Sequence, residues 1–175
     1  GVRETPHGKT GRVYVRAGGF NRRGEEAVIW VRWVMVRKRD EKSPAPVSHV
    51  PALSGVAAVK VERRIQNWDN ALSGSPFRIG DYAIGEQIDH VDGITVEEAE
   101  QQLATRLYQN TARVHFNLFE EASGRFGRRL IYGGHVISLA RALSFNGLAN
   151  AYHIAAINGG RHVAPLFAGG TVFAW

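Results

Sequence analysis

Two segments near the start of the chain have the hydrophobic pattern of β-strands. Residues 12–17 alternate, and residues 27–37 are dense in β-branched and aromatic side chains. Gly24 lies between them at a position suited to positive φ, so the two segments are predicted to form a long β-hairpin. Apolar residues occupy both faces of the second strand: Val28, Trp30, Val34 and Val36 on one, Ile29, Val31, Trp33 and Met35 on the other. An isolated hairpin cannot bury two faces, so another part of the folded protein must cover it.

Helical spacing of apolar residues appears twice in the second half of the chain. Thr95 and Glu98 form a capping-box pattern, and Val96, Ala99, Leu103 and Leu107 then recur at helical spacing, which predicts a helix over 95–107. A second helix is predicted over 133–145, with Asn146-Gly147 as a left-handed C-terminal cap. Its apolar residues cover almost the whole circumference and predict a buried helix: Val136, Ile137, Leu139, Ala140, Ala142 and Leu143.

The remaining segments are predicted to be extended or irregular. Residues 1–11 are polar and predict a loop, and residues 41–58, rich in proline at their start, predict a linker. Residues 56–65 and 67–93 have the pattern of irregular strand and turn. Residues 151–158 alternate as a strand, residues 160–167 read as an extended piece, and residues 171–175 as a terminal strand.

Composition narrows the classes of partner. The 175 residues include no cysteine, which excludes disulfides and thiolate metal sites and fits a reducing, cytoplasmic compartment. The net charge of +6 favours an anionic partner such as nucleic acid, a membrane surface or a phosphate-bearing small molecule. No apolar run is long enough to span a membrane. Basic residues alternate with Trp30 and Trp33, but these aromatics are better explained as core, so neither nucleic acid nor membrane is the expected partner.

Two features carry possible chemistry. Gly133 and Gly134 at the first turn of a helix offer unpaired amide donors for an oxyanion, although spacing alone favours close packing as their role. His135, His153 and His162 suggest metal ligation together, but no carboxylate or cysteine stands at zinc-like spacing near them. The expectation is therefore a site without metal.

Three motifs in register resemble the MaoC-like or (R)-specific enoyl-CoA hydratase family. They are N-T-A-R-V-H at 110–115, F-G-R-R-L-I-Y-G-G at 126–134 and P-L-F-A-G-G-T at 165–171. The family pattern is D-x-N-P-x-H, then F-G-x-P-I-x-H-G, then P-V-x-x-G-D-T. The resemblance implies an α+β hot-dog fold, a curved antiparallel sheet around a long central helix, as part of a double hot-dog. Residues 1–40 are then the closing hairpin of a preceding hot-dog domain, 41–58 a linker, and 59–175 a MaoC-like hot-dog domain truncated at its C-terminal strands.

The resemblance also implies roles for individual residues. The catalytic Asp of the family is matched by Asn110, whereas its catalytic histidine is retained as His115. A carboxamide cannot accept a proton, so His115 is expected to transfer it and Asn110 to orient the water or the imidazole. Substrate and CoA are expected at the Gly133 and Gly134 amides. The further candidates for binding them are Tyr132, which replaces a family histidine, and Arg113, Arg128 and Arg129.

The function implied is that of a lyase. It adds or removes water across the double bond of an enoyl-CoA thioester, with a branched unsaturated dicarboxylic acyl-CoA such as mesaconyl-CoA or its hydrated form, β-methylmalyl-CoA, as substrate. No metal or redox cofactor is expected, and the partners are the acyl-CoA substrate and further copies of the chain in a homodimer or larger homo-oligomer. Because the Asp is replaced, a non-catalytic hot-dog domain that completes a dimer or a CoA-binding surface is the alternative.

Overall fold

A computed structural model of the chain describes residues 1–52, 55 and 67–175. The chain divides into two units, Gly1–Gly55 and Val56–Trp175. The predicted strand and turn segment at 56–65 and part of the predicted linker lie outside the described residues. The assignment of residues 1–40, 41–58 and 59–175 to a hairpin, a linker and a hot-dog domain stays a prediction.

The first unit is a three-stranded antiparallel sheet in the order β1-β2-β3. The strands are β1 (Val2–Glu4), β2 (Thr10–Phe20) and β3 (Glu26–Arg37). The predicted hairpin is therefore confirmed and is longer than expected, with Gly24 at a φ of 79°. The prediction of a loop over residues 1–11 is wrong at β1, where Val2 pairs with Val13 of β2.

The turn of this hairpin is held by side chains. Asn21 Oδ1 accepts hydrogen bonds from the Arg23 and Glu25 amides at 2.9 and 3.1 Å. The Glu25 carboxylate accepts from Asn21 Nδ2 at 2.7 Å and from Arg23 Nε at 2.9 Å. The Asn21 amide, and after it the Arg23 guanidinium, lower the pKa of the Glu25 carboxyl below its ordinary value.

Apolar side chains on both faces of β3 are partly open to solvent, although the sequence predicted that another part of the protein covers them. Ile29, Trp30 and Val31 are 48%, 45% and 39% exposed, and Trp33 and Met35 are 49% and 59% exposed. Large apolar side chains that are buried stabilise a folded protein, whereas these remain half in water.

The second unit pairs a helix with two strands. β4 (His90–Thr95) and β5 (Thr171–Ala174) are antiparallel, and α4 (Gly133–Leu143) packs against both. β5 confirms the strand predicted over 171–175. Gly93 faces Phe173, and an added Cβ at Gly93 would lie 2.5 Å from the Phe173 ring, so any larger residue would require that ring to move.

Four further helices and two 3-10 turns complete the described part of this unit. They are α1 (Asn70–Ser73), α2 (Glu98–Leu107), α3 (Leu118–Glu121) and α5 (Phe145–Leu148), with 3-10 turns at Ile79–Asp81 and Arg113–His115. Residues 151–158 form no strand, so that prediction is wrong; alternation alone does not make a strand without a hydrogen-bonded neighbour. No helix of the described residues is long and apolar enough to cross a bilayer.

The helix α2 differs from its prediction in both start and orientation. It begins at Glu98, and the Glu97 amide donates to Glu100 Oε1 at 3.3 Å, so the capping pair lies two residues beyond Thr95 and Glu98. Leu103 and Leu107, expected to face the core, are 67% and 68% exposed. The buried face instead carries Gln101 and Thr105.

The helix α4 is shorter and less buried than predicted. It ends at Leu143, which is its most deeply buried residue, whereas Ile137 is 56% exposed. The predicted left-handed cap at Asn146-Gly147 is wrong, because these residues belong to α5. The core of the unit includes Val96 and Ile131, which are 0% and 3% exposed.

The side chain of Asn150 connects distant parts of the second unit. Its Nδ2 donates to the Ser75 carbonyl at 2.9 Å and to the Phe77 carbonyl at 2.5 Å. Its Oδ1 accepts from Trp68 Nε1 at 2.8 Å. Three hydrogen bonds from one residue therefore hold residues 68–77 to the segment that follows α5.

Candidate active site

The segment between α2 and the 3-10 turn is organised by Asn110. Its backbone amide donates to the Thr105 carbonyl at 2.9 Å, which ends α2. Its side-chain Oδ1 accepts from the Ala112 amide at 2.9 Å and closes a tight turn. Asn110 therefore shapes the loop that leads into the Arg113–His115 turn, and no hydrogen bond joins it to His115 in the described part of the chain.

The imidazole of His115 is half-buried and fixed in orientation. Its Nδ1 lies 2.9 Å from the Leu130 carbonyl oxygen. A carbonyl can only accept, so the ring carries its hydrogen on Nδ1 and has a lone pair on Nε2. Within residues 1–52, 55 and 67–175, Nε2 has no hydrogen-bond partner. The basic nitrogen, Nε2, therefore points away from the hydrogen bond between Nδ1 and the Leu130 carbonyl.

Tyr132 connects this imidazole with the start of α4. Its ring packs edge-on against His115 with centroids 5.8 Å apart, and Tyr132 is the residue immediately before the helix. The Tyr132 side chain thus contacts the imidazole, and its main chain leads directly into the first turn of α4.

The glycines at the helix start have two properties. Across the described residues, neither the Gly133 nor the Gly134 amide has an acceptor, which is ordinary for the first turn of a helix. Both positions are also crowded: an added Cβ would lie 2.5 Å from His162 Nε2 at Gly133 and 2.6 Å from the Tyr132 hydroxyl at Gly134. Close packing and open amides therefore coexist at this helix end.

His162 is the residue at this end whose place the sequence did not predict. Sequence reasoning considered it only as a metal ligand, yet its ring lies against Gly133. It is far from the glycine in sequence and lies in a segment without regular secondary structure, so spacing gives no signal for the contact.

The three candidate arginines each have a protein partner. Arg113 pairs with Glu120 at 2.7 Å on the surface, and Arg129 forms an ion pair with Glu98 of α2. The Arg128 guanidinium lies 3.9 Å from the centroid of the Phe167 ring. A stacked guanidinium keeps its N–H donors free at the edge, whereas a carboxylate occupies them.

The histidines considered for metal binding have other contacts. His135 Nε2 lies 3.3 Å from Glu100 Oε1, which connects α4 with α2, and His153 lies beside Tyr152. The described part of the chain contains no group of three or more His, Asp or Glu side chains arranged to hold a metal ion.

A cavity opens next to Asn110 on the side of α2. Its volume is about 290 Å³, and it is lined by Thr105, Arg106, Gln109, Asn110 and Phe116. A separate groove of about 350 Å³ lies between residues 77–88 and the end of α5, with Phe77, Tyr82 and Leu148 in its wall. The first of these borders the loop that carries His115.

Comparison with known proteins identifies close relatives, although no family model matches the chain. A beta-methylmalyl-CoA dehydratase from Chloroflexus aurantiacus is 57% identical over 180 residues, covering 100% of this chain and 51% of that protein. A mesaconyl-CoA hydratase from Cereibacter sphaeroides is 56% identical over 180 residues, covering 100% of this chain and 52% of that protein. The chain thus spans about half the length of the curated relatives it matches.

Solved structures agree with these relatives. A MaoC domain protein dehydratase from Chloroflexus aurantiacus matches with a TM-score of 0.89 and 56% identity over 99% of this chain and 51% of that one. A Mycobacterium tuberculosis protein with a double hot-dog fold matches with a TM-score of 0.67 and 26% identity over 98% of this chain and 52% of that one. The predicted α+β hot-dog fold is therefore confirmed. Over its whole length the chain therefore resembles the MaoC-like hot-dog proteins, and it is similar to about half of beta-methylmalyl-CoA dehydratase and of mesaconyl-CoA hydratase.

Proposed function

We propose that this protein is a hydro-lyase that adds or removes water across the double bond of an enoyl-CoA thioester, with mesaconyl-CoA and β-methylmalyl-CoA as its substrate pair. The names of its relatives support the reaction and the substrate class. The observation that carries the proposal in this chain is the bond from His115 Nδ1 to the Leu130 carbonyl, because it leaves Nε2 as a base. No metal or redox cofactor is needed for this chemistry.

The proton balance can be written with one imidazole. In hydration, Nε2 of His115 takes a proton from water while the water oxygen bonds to the β-carbon of the enoyl group. The electron pair of the double bond moves toward the thioester, and negative charge develops on its oxygen. The imidazolium then returns the proton to the α-carbon, so no net proton enters or leaves.

The amide end of α4 is suited to the charge that develops. Gly133 and Gly134 have N–H groups without acceptors in the described residues, and the positive end of the helix dipole lies at the same place. Tyr132 lies between these amides and His115 and is our candidate for the wall against which the acyl group packs. The thioester oxygen is expected to point to the amides and the double bond to the imidazole.

Of the arginines, Arg128 is the stronger candidate for the CoA phosphates. Its guanidinium is exposed and stacked on Phe167, so its donors remain available at the ring edge. Arg113 is already paired with Glu120, and a phosphate would have to compete with that carboxylate. We therefore place Arg113 at the periphery of the site.

One observation favours the non-catalytic alternative. The family Asp is Asn110 here, and its side-chain oxygen is already engaged by the Ala112 amide. A hot-dog domain that has lost its acid and keeps only binding groups would still capture CoA or complete an oligomer. Under this alternative His115 would be a structural residue fixed by Leu130.

Turnover by the full-length protein decides between the two. Hydration of mesaconyl-CoA removes the absorbance of the conjugated enoyl thioester, which gives a continuous assay. We expect His115→Gln to lower kcat by about 10²- to 10⁴-fold, the usual contribution of general acid–base catalysis. The matched control is His7→Gln, an exposed histidine of the first unit, which is expected to leave kcat unchanged.

Each other outcome has a definite meaning. Undiminished turnover in a folded His115→Gln variant would show that the base lies elsewhere. No turnover by the wild-type protein, with CoA nevertheless detected by native mass spectrometry, would favour the binding domain. The homo-oligomeric state and the cytoplasmic location expected from the sequence remain predictions of the same proposal, and size-exclusion chromatography with light scattering tests the first.

A further inference from the structure

Two polar side chains of α2 are completely buried in the second unit. Gln101 and Thr105, one helical turn apart, are 0% and 1% exposed. Thr105 Oγ1 donates to Gln101 Oε1 at 2.7 Å, and Gln101 Nε2 donates to the backbone carbonyl of His115 at 2.7 Å. The result is a chain of hydrogen bonds from the interior of the helix to the main chain of the candidate base.

A second amide converges on the same oxygen. Gln102 Nε2 also donates to the His115 carbonyl at 2.7 Å. A carbonyl oxygen has two lone pairs, so this acceptor is saturated by two side chains from consecutive residues. Two donors on one oxygen restrict its direction as well as its distance.

This arrangement runs against the hydrophobic pattern of the helix. Apolar residues would fill the buried face without needing partners, and Leu103 and Leu107 are available on the same helix, yet they are 67% and 68% exposed. Burial of an amide and a hydroxyl is unfavourable unless every hydrogen bond is made. The hydrogen-bonded pair of Gln101 and Thr105 is held in a single defined geometry, whereas Gln102 Oε1 is buried without a hydrogen-bond partner among the described residues.

The imidazole side of His115 is held by the main chain of another segment, at Leu130. Leu130 donates from its amide to the Val114 carbonyl at 2.9 Å and accepts from His115 Nδ1 at 2.9 Å. Besides the bond from its amide to the Ala112 carbonyl at 3.1 Å, His115 is therefore held at its carbonyl by α2 and at its imidazole by Leu130. Movement of either point would change the direction of Nε2.

We propose that Gln101, supported by Thr105 and joined by Gln102, is a positioning residue for the imidazole of His115. This inference rests on the function proposed above, because it assumes that the hydrogen-bond network orients His115 as the base of that reaction. Gln101 touches no reacting atom. It acts by fixing the main chain of residue 115, and thereby the direction from which Nε2 reaches the substrate.

The test separates positioning from stability by removing donor and acceptor together. Gln101→Met alone would leave the Thr105 hydroxyl buried without its acceptor and would destabilise the fold. Gln101→Met with Thr105→Val replaces both groups by apolar ones of similar shape, a change that is close to neutral for stability. The matched control is Gln87→Met, where the side chain of an exposed glutamine donates to nearby Asp89.

In the full-length protein, we expect the double variant to keep its melting temperature and its KM, with kcat lowered by about tenfold. This is less than the roughly 10²-fold that a displacement of about 1 Å can cause, because Gln102 still donates. The Nδ1–H proton of His115, assigned in NMR spectra by its loss in His115→Gln, should exchange faster with water. The control variant should match the wild type in all four readouts.

Gln102→Met provides a second, half-buried substitution that removes the other donor, and it is expected to lower kcat with KM unchanged in the same way. The proposal is overturned if the folded variants keep wild-type kcat and a wild-type Nδ1–H signal, or if kcat falls only in proportion to lost folded protein. If the wild-type protein has no turnover, the proposed function fails, and the Nδ1–H exchange rate still decides whether Gln101 positions the ring.

Discussion

The Asn110 side chain shapes the loop that leads to His115, and Asn110→Ala removes only that contribution. The bond lost is the one from the Ala112 amide to Asn110 Oδ1 at 2.9 Å. The backbone amide of residue 110 still donates to the Thr105 carbonyl, so the end of α2 remains in place. The variant therefore loosens one turn and leaves His115 itself intact.

The expected loss follows from the strength of one hydrogen bond. A neutral hydrogen bond contributes about 1 kcal/mol net. Since about 1.4 kcal/mol corresponds to tenfold, the population of the correctly shaped loop, and with it kcat, should fall by about fivefold or less. Removal of a general base costs about 10²- to 10⁴-fold. Asn110→Asp keeps an acceptor toward Ala112 and should retain at least the wild-type kcat.

Steady-state hydration of mesaconyl-CoA by the full-length protein measures both variants beside His115→Gln. If Asn110→Ala loses as much activity as His115→Gln, with an unchanged melting temperature, then Asn110 takes part in the chemistry and the role of loop former is refuted.

Two further predictions concern the scaffold. Asn150→Ala breaks three partly exposed hydrogen bonds and should reduce the free energy of unfolding by about 2 kcal/mol in urea titrations; an effect no larger than that of exposed Asn146→Ala would contradict this. Because Asn21 and then Arg23 lower the pKa of Glu25, the turn stabilisation is present above the unfolded-state pKa and lost as pH falls through the folded one. NMR spectra of the turn recorded as the pH is lowered measure this loss of stability. The pH dependence assigned to Glu25 is disproved if the Glu25→Gln variant loses the turn over the same acidic pH range as the wild type.

The elements that the sequence predicted correctly are those whose signals are local. The hairpin follows from β-branched residues on either side of Gly24, whose φ is 79°. The start of α2 was misplaced for a non-local reason: the Thr95 hydroxyl lies 2.9 Å from the Thr171 hydroxyl across the β4–β5 pair, and is not free to cap a helix. The strand expected at 151–158 is absent because alternation cannot specify a partner.

The residues of the candidate site also fall into those that local motifs predicted and those that depend on distant contacts. Motif resemblance grouped His115, Tyr132 and Gly133, and the structure shows a ring contact between His115 and Tyr132, the residue before Gly133. Gln101 was missed because a polar residue on a helix with leucines nearby is read as solvent-facing, and its buried role depends on a carbonyl in another segment. His162 was missed because its contact with Gly133 is purely tertiary.

The attachment of residue 115 through its main chain has an evolutionary consequence. Gln101 and Gln102 bind a carbonyl group that every amino acid possesses, so the framework does not depend on which side chain occupies the position. A single codon change could therefore install a different reactive group in the same place without rebuilding the loop. Folds with this property can acquire new chemistry, or lose it, while their architecture stays the same.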